Sequence, residues 1–402
     1  ARAQLDAGSW DEASELLAVA EASPLDELQE AQLVRLHARI AFARSRGSDA
    51  PPLLLEAARR LEPLDAGLAR ETYLDALGAA IFAGRLAGRS GVDQVAEATR
   101  RAPPGPQPPR TMDLLLDGLT TRFTDGYAAA VPPLRRALEA LRDQDGTARD
   151  HLRWQWMACR IASELWEDEI WDEVAIRHVR AARETGPLAV LPVALTYRSG
   201  THVHAGEFAA AEALIEESNA ITRAIGGAPL MYTTVLLAAW RGREAHAAAL
   251  IEDGHRDATP RGEGRGVSWG DYATALLRNG LGDYDAALVA AQAACAHDDI
   301  GLVAWPMVEL IEAGARSDRP DVAHPALERL AERTRAAGTD WALGMEARSR
   351  ALLSDGPEAD ALYQEAIDRL GRSRVAVHLA RAHLVYGEWL RRQQRRVDAR
   401  HH

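Results

Sequence analysis

The sequence predicts an all-α fold: a right-handed superhelical solenoid built from about ten helical hairpins. A turn residue followed by an alanine-rich block recurs at intervals of roughly 40 residues, as at Gly8, Gly206 and Gly282. Aromatic residues make up only 5% of the chain, so alanine and leucine, both strong helix formers, supply most of the apolar surface. No segment shows the alternating pattern that is typical of a strand.

Residues 268–297 illustrate one repeat. The first helix is predicted from about Ser268 to Arg278, and Asn279–Gly282 ends it, because glycine adopts the left-handed conformation of a helix C-terminus. Asp283 occupies the N-cap position of the second helix, where its carboxylate can accept hydrogen bonds from free backbone N–H groups. Alanines spaced along the second helix then allow its partner to pack closely.

Two stretches interrupt this pattern. The proline-rich segment 102–110 cannot be helical, and we interpret it as a loop between N-terminal repeats (1–101) and C-terminal repeats (111–400). The second stretch, Pro260–Gly266, is glycine-rich, but no strand precedes it and no Lys-Ser/Thr follows, so a phosphate-binding loop is not predicted. A mobile loop over the inner wall stays open as the alternative for this stretch. His401–His402 is interpreted as a tag remnant.

Composition excludes several functions. The net charge is −12, which disfavours direct nucleic-acid binding. The 47 basic residues are all arginines, so a P-loop lysine and a Schiff-base lysine are excluded. Cys159 and Cys295 are expected to be buried thiols in a reducing compartment. No signal peptide and no long apolar stretch is present, so we expect a soluble, cytoplasmic protein that does not contact membranes.

The C-terminal third resembles a known family. The segments Gly338–Gly344, Glu346–Leu353 and Leu379–Arg392 are similar to the tetratricopeptide-like repeat region of large LuxR-type (MalT-like) ATP-dependent transcriptional regulators of actinobacteria. Gly262–Arg265 and Asn279–Gly282 resemble the same region. In that family, an ATPase module precedes the repeats and a helix-turn-helix follows them. Neither a Walker A motif nor a helix-turn-helix occurs in this sequence.

The resemblance implies a sensor. It predicts a non-enzymatic module that binds a small-molecule inducer, a peptide or a protein on its concave face and signals to the ATPase and DNA-binding modules. No cofactor is expected in this chain, since the resemblance implies ATP only for the ATPase module. The alternative is a protein–protein interaction scaffold without a small-molecule site.

Aromatic residues at a fixed period are the candidate ligand-binding site. Tyr232, Trp269, Trp305 and Trp341 follow one another at steps of 36 or 37 residues, each near the start of a first helix, and Trp154 extends the series. Such rings on a concave wall suit a sugar, a polyketide-like molecule or a peptide. Packing between repeats is the more frequent role of such residues and stays open as the alternative. Polar residues expected to orient the ligand are Tyr197, Arg198, Tyr272 and Glu346.

Two other patterns contain residue types that catalysis or metal binding uses. The acidic run from Glu164 to Glu173 could hold a glycosidase-like carboxylate pair, but a solvated turn between helices is the better interpretation. Thr201–His204 could suggest a metal site, but residues two apart point to different faces of a helix. The sequence therefore predicts no metal and no catalytic residue.

Overall fold

The computed structural model describes residues 1–143, 152–186, 188–302 and 304–402, the side chain of Asp6 excepted. These residues form α-helices joined by short turns, with no β-strand among them. The helices are α1 (Arg2–Ala7), α2 (Trp10–Glu21), α3 (Glu27–Ser45), α4 (Ala50–Leu61), α5 (Ala66–Ala83), α6 (Val92–Arg101), α7 (Thr111–Thr124), α8 (Tyr127–Asp143), α9 (Gln155–Glu164), α10 (Asp168–Thr185), α11 (Leu191–His204), α12 (Phe208–Ala224), α13 (Tyr232–Trp240), α14 (Glu244–Arg261), α15 (Gly264–Leu281), α16 (Tyr284–Cys295), α17 (Ala304–Arg316), α18 (Pro320–Ala337), α19 (Asp340–Ala351), α20 (Gly356–Leu370) and α21 (Ala376–Arg392). The prediction of an all-α fold is confirmed.

The helices pack in the manner of stacked hairpins. Each helix contacts the next along the chain, as α15 contacts α16 and α17 contacts α18. In addition, α13 contacts α15, α15 contacts α17 and α17 contacts α19, so the first helices of successive hairpins lie side by side. This arrangement is that of a helical-repeat protein. The hand of any superhelix and the number of repeats remain predictions.

The turn between α15 and α16 shows how local sequence ends one helix and begins the next. Gly282 has a φ of 80° and caps α15, and the Asp283 carboxylate accepts a hydrogen bond from the Ala286 N–H at 3.4 Å. Both roles are as predicted. The predicted start of the first helix at Ser268 is wrong, because α15 already begins at Gly264.

The alternative of a mobile loop at 260–266 is also wrong. Pro260 lies in the last turn of α14, and only Gly262 and Glu263 separate α14 from α15. The glycines serve packing: a Cβ atom on Gly264 would lie 2.3 Å from the Ala83 carbonyl oxygen, so only glycine lets α15 approach the end of α5 this closely.

A second set of contacts joins segments far apart in the chain. Helix α15 packs on α5, α18 on α8, and α21 on α11. Ion pairs also join distant segments: Arg85 pairs with Asp271, 186 residues further along the chain, at 2.8 Å. The later half of the chain therefore packs back onto the earlier half, and the inner faces of both halves share one core.

The connection between α16 and α17 lies inside this core. Ile300 is 1% exposed, and its carbonyl oxygen accepts hydrogen bonds from Arg160 and Arg265 at 3.2 and 3.0 Å. The Gly301 N–H donates to the Glu164 carboxylate at 2.5 Å. We call residues 296–302 the central loop. Three side chains from two helices, Arg160 and Glu164 of α9 and Arg265 of α15, thus pair with the backbone of this buried loop.

The proline-rich segment 102–110 contains no helix and joins α6 to α7. Helices on both of its sides contact each other, as α5 contacts α7, and Arg70 bonds Asp113 at 2.7 Å. The division into two sets of repeats stays a prediction. Among the described helices, none is both long enough and apolar enough to cross a membrane.

Candidate functional site

The four predicted aromatic residues meet in sequence order. Ring centroids are 5.9 Å apart for Tyr232 and Trp269, 6.0 Å for Trp269 and Trp305, and 6.0 Å for Trp305 and Trp341. We call these four residues the aromatic row. Their common position near the start of successive first helices explains the contact, because those helices lie side by side.

The aromatic row is enclosed in the core. Tyr232 and Trp269 are each 8% exposed, Trp305 is 3% exposed and Trp341 is fully buried. Trp171, from outside the row, stacks parallel to Trp341 with the ring centroids 6.0 Å apart. Aromatic pairs at such distances contribute packing energy beyond the area that they bury.

Little space remains beside the row. A cavity of about 40 Å³ is lined by Tyr232, Trp269 and Trp305, together with Tyr197 and parts of the central loop. This volume holds a few water molecules at most, far below the ~300 Å³ at which small-molecule pockets begin. In this conformation the row therefore packs; ligand binding by it stays a prediction.

Two of the polar residues predicted to orient a ligand are engaged within the protein. The Tyr197 hydroxyl accepts a hydrogen bond from Arg160 at 2.5 Å. Arg198 pairs with Asp172 of the neighbouring helix α10. Burial raises the pKa of Tyr197, so its hydroxyl stays protonated at neutral pH.

The other two lie further along the chain. Tyr272 is fully buried on α15, and burial followed by the nearby charge of Glu309 raises the pKa of its hydroxyl well above the usual value. The Glu346 carboxylate accepts hydrogen bonds from Thr334 at 2.6 Å and from Arg350 at 2.6 Å. Because Thr334 is on α18 and Glu346 is on α19, the hydrogen bond between them joins these two helices.

The acidic run from Glu164 to Glu173 is not the solvated turn that we expected. Trp166 in its centre is fully buried, and Glu164 is 3% exposed. Glu164 bonds Arg122 at 2.7 Å, and Asp298 of the central loop bonds the same guanidinium at 2.7 Å. The prediction fails for Glu164, because its carboxylate pairs with arginines from distant segments, which no local pattern reveals. Glu169 and Glu173 of the same run are exposed on α10.

The histidine motif is structural as well. His204 Nδ1 lies 3.1 Å from His378 Nε2, and both side chains are 1% exposed. Burial lowers the pKa of His204 to about 3, so both rings stay neutral at physiological pH. Across the described ranges, no group of three or more His, Cys, Asp or Glu side chains is placed to hold a metal ion.

Trp154 lies elsewhere, at the wall of a large cavity. This space of about 720 Å³ lies between α1, α3, α5, the start of α9 and the turn that follows α10. We call it the Trp154 cavity. Its lining combines aromatic, aliphatic and charged side chains: Arg2, Ala3, Leu5, Ala7, Arg39, Phe42, Ala43, Leu54, Asp75, Gly78, Ala79, Leu152, Arg153, Trp154, Trp156, Thr185, Gly186, Ala189 and Val190.

A second cavity adjoins it. About 560 Å³ of space beside α7 and α8 shares Arg2, Arg153 and Trp154 with the first. Glu71 and Arg110 are among its further lining residues. Arg153 and Trp154 thus line both cavities.

Among the described residues that line the Trp154 cavity, three are arginines and one, Asp75, is an acid. The Arg153 guanidinium lies over the Trp154 ring, 4.4 Å from its centroid, and pairs with the Asp75 carboxylate. Asp75 also accepts from Arg35 at 3.2 Å. Burial, and then the nearby charges of Arg39 and Arg35, lowers the pKa of Arg153 well below its usual value. The nearby charge of Glu71 acts in the opposite direction, so Arg153 has charges of both signs around it.

Sequence reasoning missed most of this cavity. The alternation of Arg153, Trp154 and Trp156 was a visible signal of a surface that combines positive charge with aromatic rings. The ring that reaches the row is Trp156 rather than Trp154, through Phe82 at 5.2 Å and then Tyr232 at 6.3 Å. The rest of the lining comes from helices whose meeting no local spacing predicts.

Neither a scan against models of known protein families nor a search among curated proteins finds a match to this chain.

Proposed function

We propose that this chain is a recognition module, the sensor segment of a LuxR-type transcriptional regulator, and that its ligand binds in the Trp154 cavity. The observation that carries the proposal is the volume of about 720 Å³ with an aromatic, aliphatic and cationic lining. Small-molecule sites occupy roughly 300–1,000 Å³ and combine an apolar wall with a few polar groups.

The lining favours binding over chemistry. Among the described residues that line the cavity, none is His, Cys, Ser or Lys, the usual bases and nucleophiles. The carboxylate of Asp75 is already engaged by two arginines, Arg35 and Arg153. We therefore propose a non-enzymatic module.

The regulatory part of the proposal is supported by residue resemblance. Gly338–Gly344 and Leu379–Arg392 are similar to the repeat region of LuxR-type regulators. On this basis the hairpins form a right-handed superhelix of about ten repeats that works in the cytoplasm. Its partners are the inducer and the ATPase and helix-turn-helix modules of the regulator.

The position of the cavity suggests how a ligand acts. Its walls come from α3 and α5 on one side and from α9 and the turn after α10 on the other. A ligand that contacts both sides favours the conformation in which they are held together, and so shifts the population of the two conformations. Converting a mostly inactive protein into a mostly active one requires about 10⁴-fold preference for one state.

A thermal-shift screen of metabolites tests the site. Ala189 lines the cavity from the turn after α10, and Ala189→Trp would narrow it. The matched control is Ala220→Trp, because Ala220 is exposed on α12. We expect a compound that raises the unfolding midpoint of the unchanged chain and of the control, but much less that of Ala189→Trp.

Two outcomes would contradict the proposal. A compound that stabilises all three proteins equally binds outside the Trp154 cavity. A broad screen in which no small molecule moves the midpoint would favour the alternative, a scaffold that binds only proteins.

A further inference from the structure

We infer that Arg348 and Arg381 are alternative partners of one buried carboxylate, that of Glu312, so that α17, α19 and α21 have two ion-paired arrangements, of which the structure shows one. In the arrangement shown, Glu312 accepts hydrogen bonds from Arg381 at 2.5 and 3.3 Å. In the other arrangement, Arg348 takes this carboxylate and Arg381 turns towards solvent. The inference is independent of the proposed ligand site.

Arg348 is a buried cation that is left unpaired in the arrangement shown. Its side chain lies on α19 and is fully buried, and none of its three guanidinium nitrogens has a hydrogen-bond partner in the described part of the chain. Burial lowers the pKa of Arg348, because it disfavours the charged form. A buried charge without a partner is destabilising, so an arrangement that pairs Arg348 is favoured in this respect.

Two carboxylates act on Arg348 without bonding to it. After burial, the charges of Glu312 and then Glu309 have the largest influence on the pKa of Arg348, and both raise it. These glutamates are 1% and 3% exposed on α17, the helix that contacts α19. The Glu309 carboxylate accepts a hydrogen bond from Asn279 at 2.9 Å. Glu312 is the carboxylate whose charge acts most strongly on both Arg348 and Arg381.

The two arginines differ in the surroundings that each would have without Glu312. The Arg381 side chain is 14% exposed, and the charge of Glu388 on the same helix also acts on it. Arg348 has no exposed surface. Transfer of Glu312 from Arg381 to Arg348 therefore pairs the more deeply buried cation and leaves the one that water can reach.

The exchange also changes how α21 is held. Among the described residues, two ion pairs join α21 to α17: Arg381 with Glu312, and Arg316 with Glu388. In the second arrangement the first of these pairs is lost, and a pair between α17 and α19 replaces it. The exchange is thus a built-in means of loosening α21, in which one set of side chains has two discrete arrangements.

Substitutions at the two arginines, singly and together, test the inference. We would measure urea unfolding for the unchanged chain, Arg381→Met, Arg348→Met and the double variant Arg381→Met/Arg348→Met. The control is the double variant Arg381→Met/Arg256→Met, because Arg256 is exposed on α14, where it pairs with Glu252 and Asp253. Near-ultraviolet circular dichroism checks that each variant is folded.

We expect Arg381→Met to unfold near the midpoint of the unchanged chain, because Arg348 takes over Glu312. Arg348→Met should unfold at an equal or higher midpoint, since the change removes an unpaired buried charge. The double variant leaves Glu312 without a partner. Its unfolding equilibrium constant should therefore exceed the product of the two single effects by about a hundredfold or more. The two changes in the control should be additive.

An Arg381→Met variant that loses as much stability as the double variant would overturn the inference, because Arg348 then does not replace Arg381. If the double variant is unfolded without urea, the midpoint of Arg381→Met alone decides in the same way. A crystal structure of Arg381→Met gives the direct check. We expect an Arg348 nitrogen within about 3.2 Å of a Glu312 carboxylate oxygen. An Arg348 side chain that stays unpaired there would contradict the exchange.

Discussion

The aromatic row and the Trp154 cavity both contain aromatic rings next to arginines. The space beside the row is filled, whereas the Trp154 cavity is open. Beside the row the central loop occupies the interior and leaves about 40 Å³, whereas the Trp154 cavity has about 720 Å³. The difference teaches that a fixed aromatic period identifies which rings meet. Whether space for a ligand remains between them depends on what the rest of the chain inserts there.

The largest expected effect comes from emptying the filled region. Trp341→Ala should reduce the free energy of unfolding by about 3–5 kcal/mol, because its fully buried ring leaves a cavity. Trp154→Ala should cost about half as much, since that ring already borders open space. Urea unfolding of both variants checks this order. An equal loss, or a larger one for Trp154→Ala, would contradict the distinction between filled and open regions.

The next prediction concerns the ion pairs that hold the central loop. Burial acts to raise the pKa of Asp298, but the bonds and charges of Arg122 and Arg333 outweigh it and hold that pKa below its usual value. Arg122→Met leaves the buried Glu164 short of one partner and should cost about 3–4 kcal/mol.

The matched control is Arg241→Met, since Arg241 makes a similar two-bond pair with the exposed Glu212. This change should cost about 0–1 kcal/mol. Denaturant midpoints of the two variants decide the matter. Similar midpoints would show that the loop is not held by these charges.

Acid should weaken the filled region specifically. Burial lowers the pKa of His204 to about 3, and burial, followed by the charges of His204 and Arg348, lowers the pKa of His378 well below its usual value. Below pH 6.5 these histidines bind protons in the unfolded chain but not in the folded chain. The free energy of unfolding therefore decreases by ~1.4 kcal/mol per pH unit for each histidine as the pH falls towards about 3. The double variant His204→Phe/His378→Phe should reduce this slope by about 3 kcal/mol per pH unit.

Other groups do not disturb this comparison. Burial raises the pKa of Glu263 to about 7 and gives a slope of opposite sign, but it is common to the unchanged chain and the variant. The control variant substitutes the exposed His246 by Gln. A double variant with the slope of the unchanged chain would mean that the two histidines titrate while the protein is folded.

The sequence predicted the local features well. The helical content, the glycine cap at Gly282, the aspartate cap at Asp283 and the order of the aromatic row all follow from spacing and propensity. These features depend on residues within one hairpin or between neighbouring hairpins, where periodicity carries the information.

The features that the sequence did not reveal depend on distant contacts. Gly264 is required by the approach of Ala83, and Glu164 is buried by Arg122 and by the Gly301 backbone, all from other parts of the chain. The Trp154 cavity likewise lies between α1, α5 and α9. A repeat pattern predicts neighbours along the stack, but it does not predict how the later half of the chain packs on the earlier half.

The proposed ligand site is the Trp154 cavity rather than the space beside the aromatic row. A crystal structure of the chain with anilinonaphthalene sulfonate tests it most directly. We predict this dye in the Trp154 cavity, against the Trp154 ring. A dye inserted between Trp269 and Trp305, or bound only on the outer surface, would contradict the account.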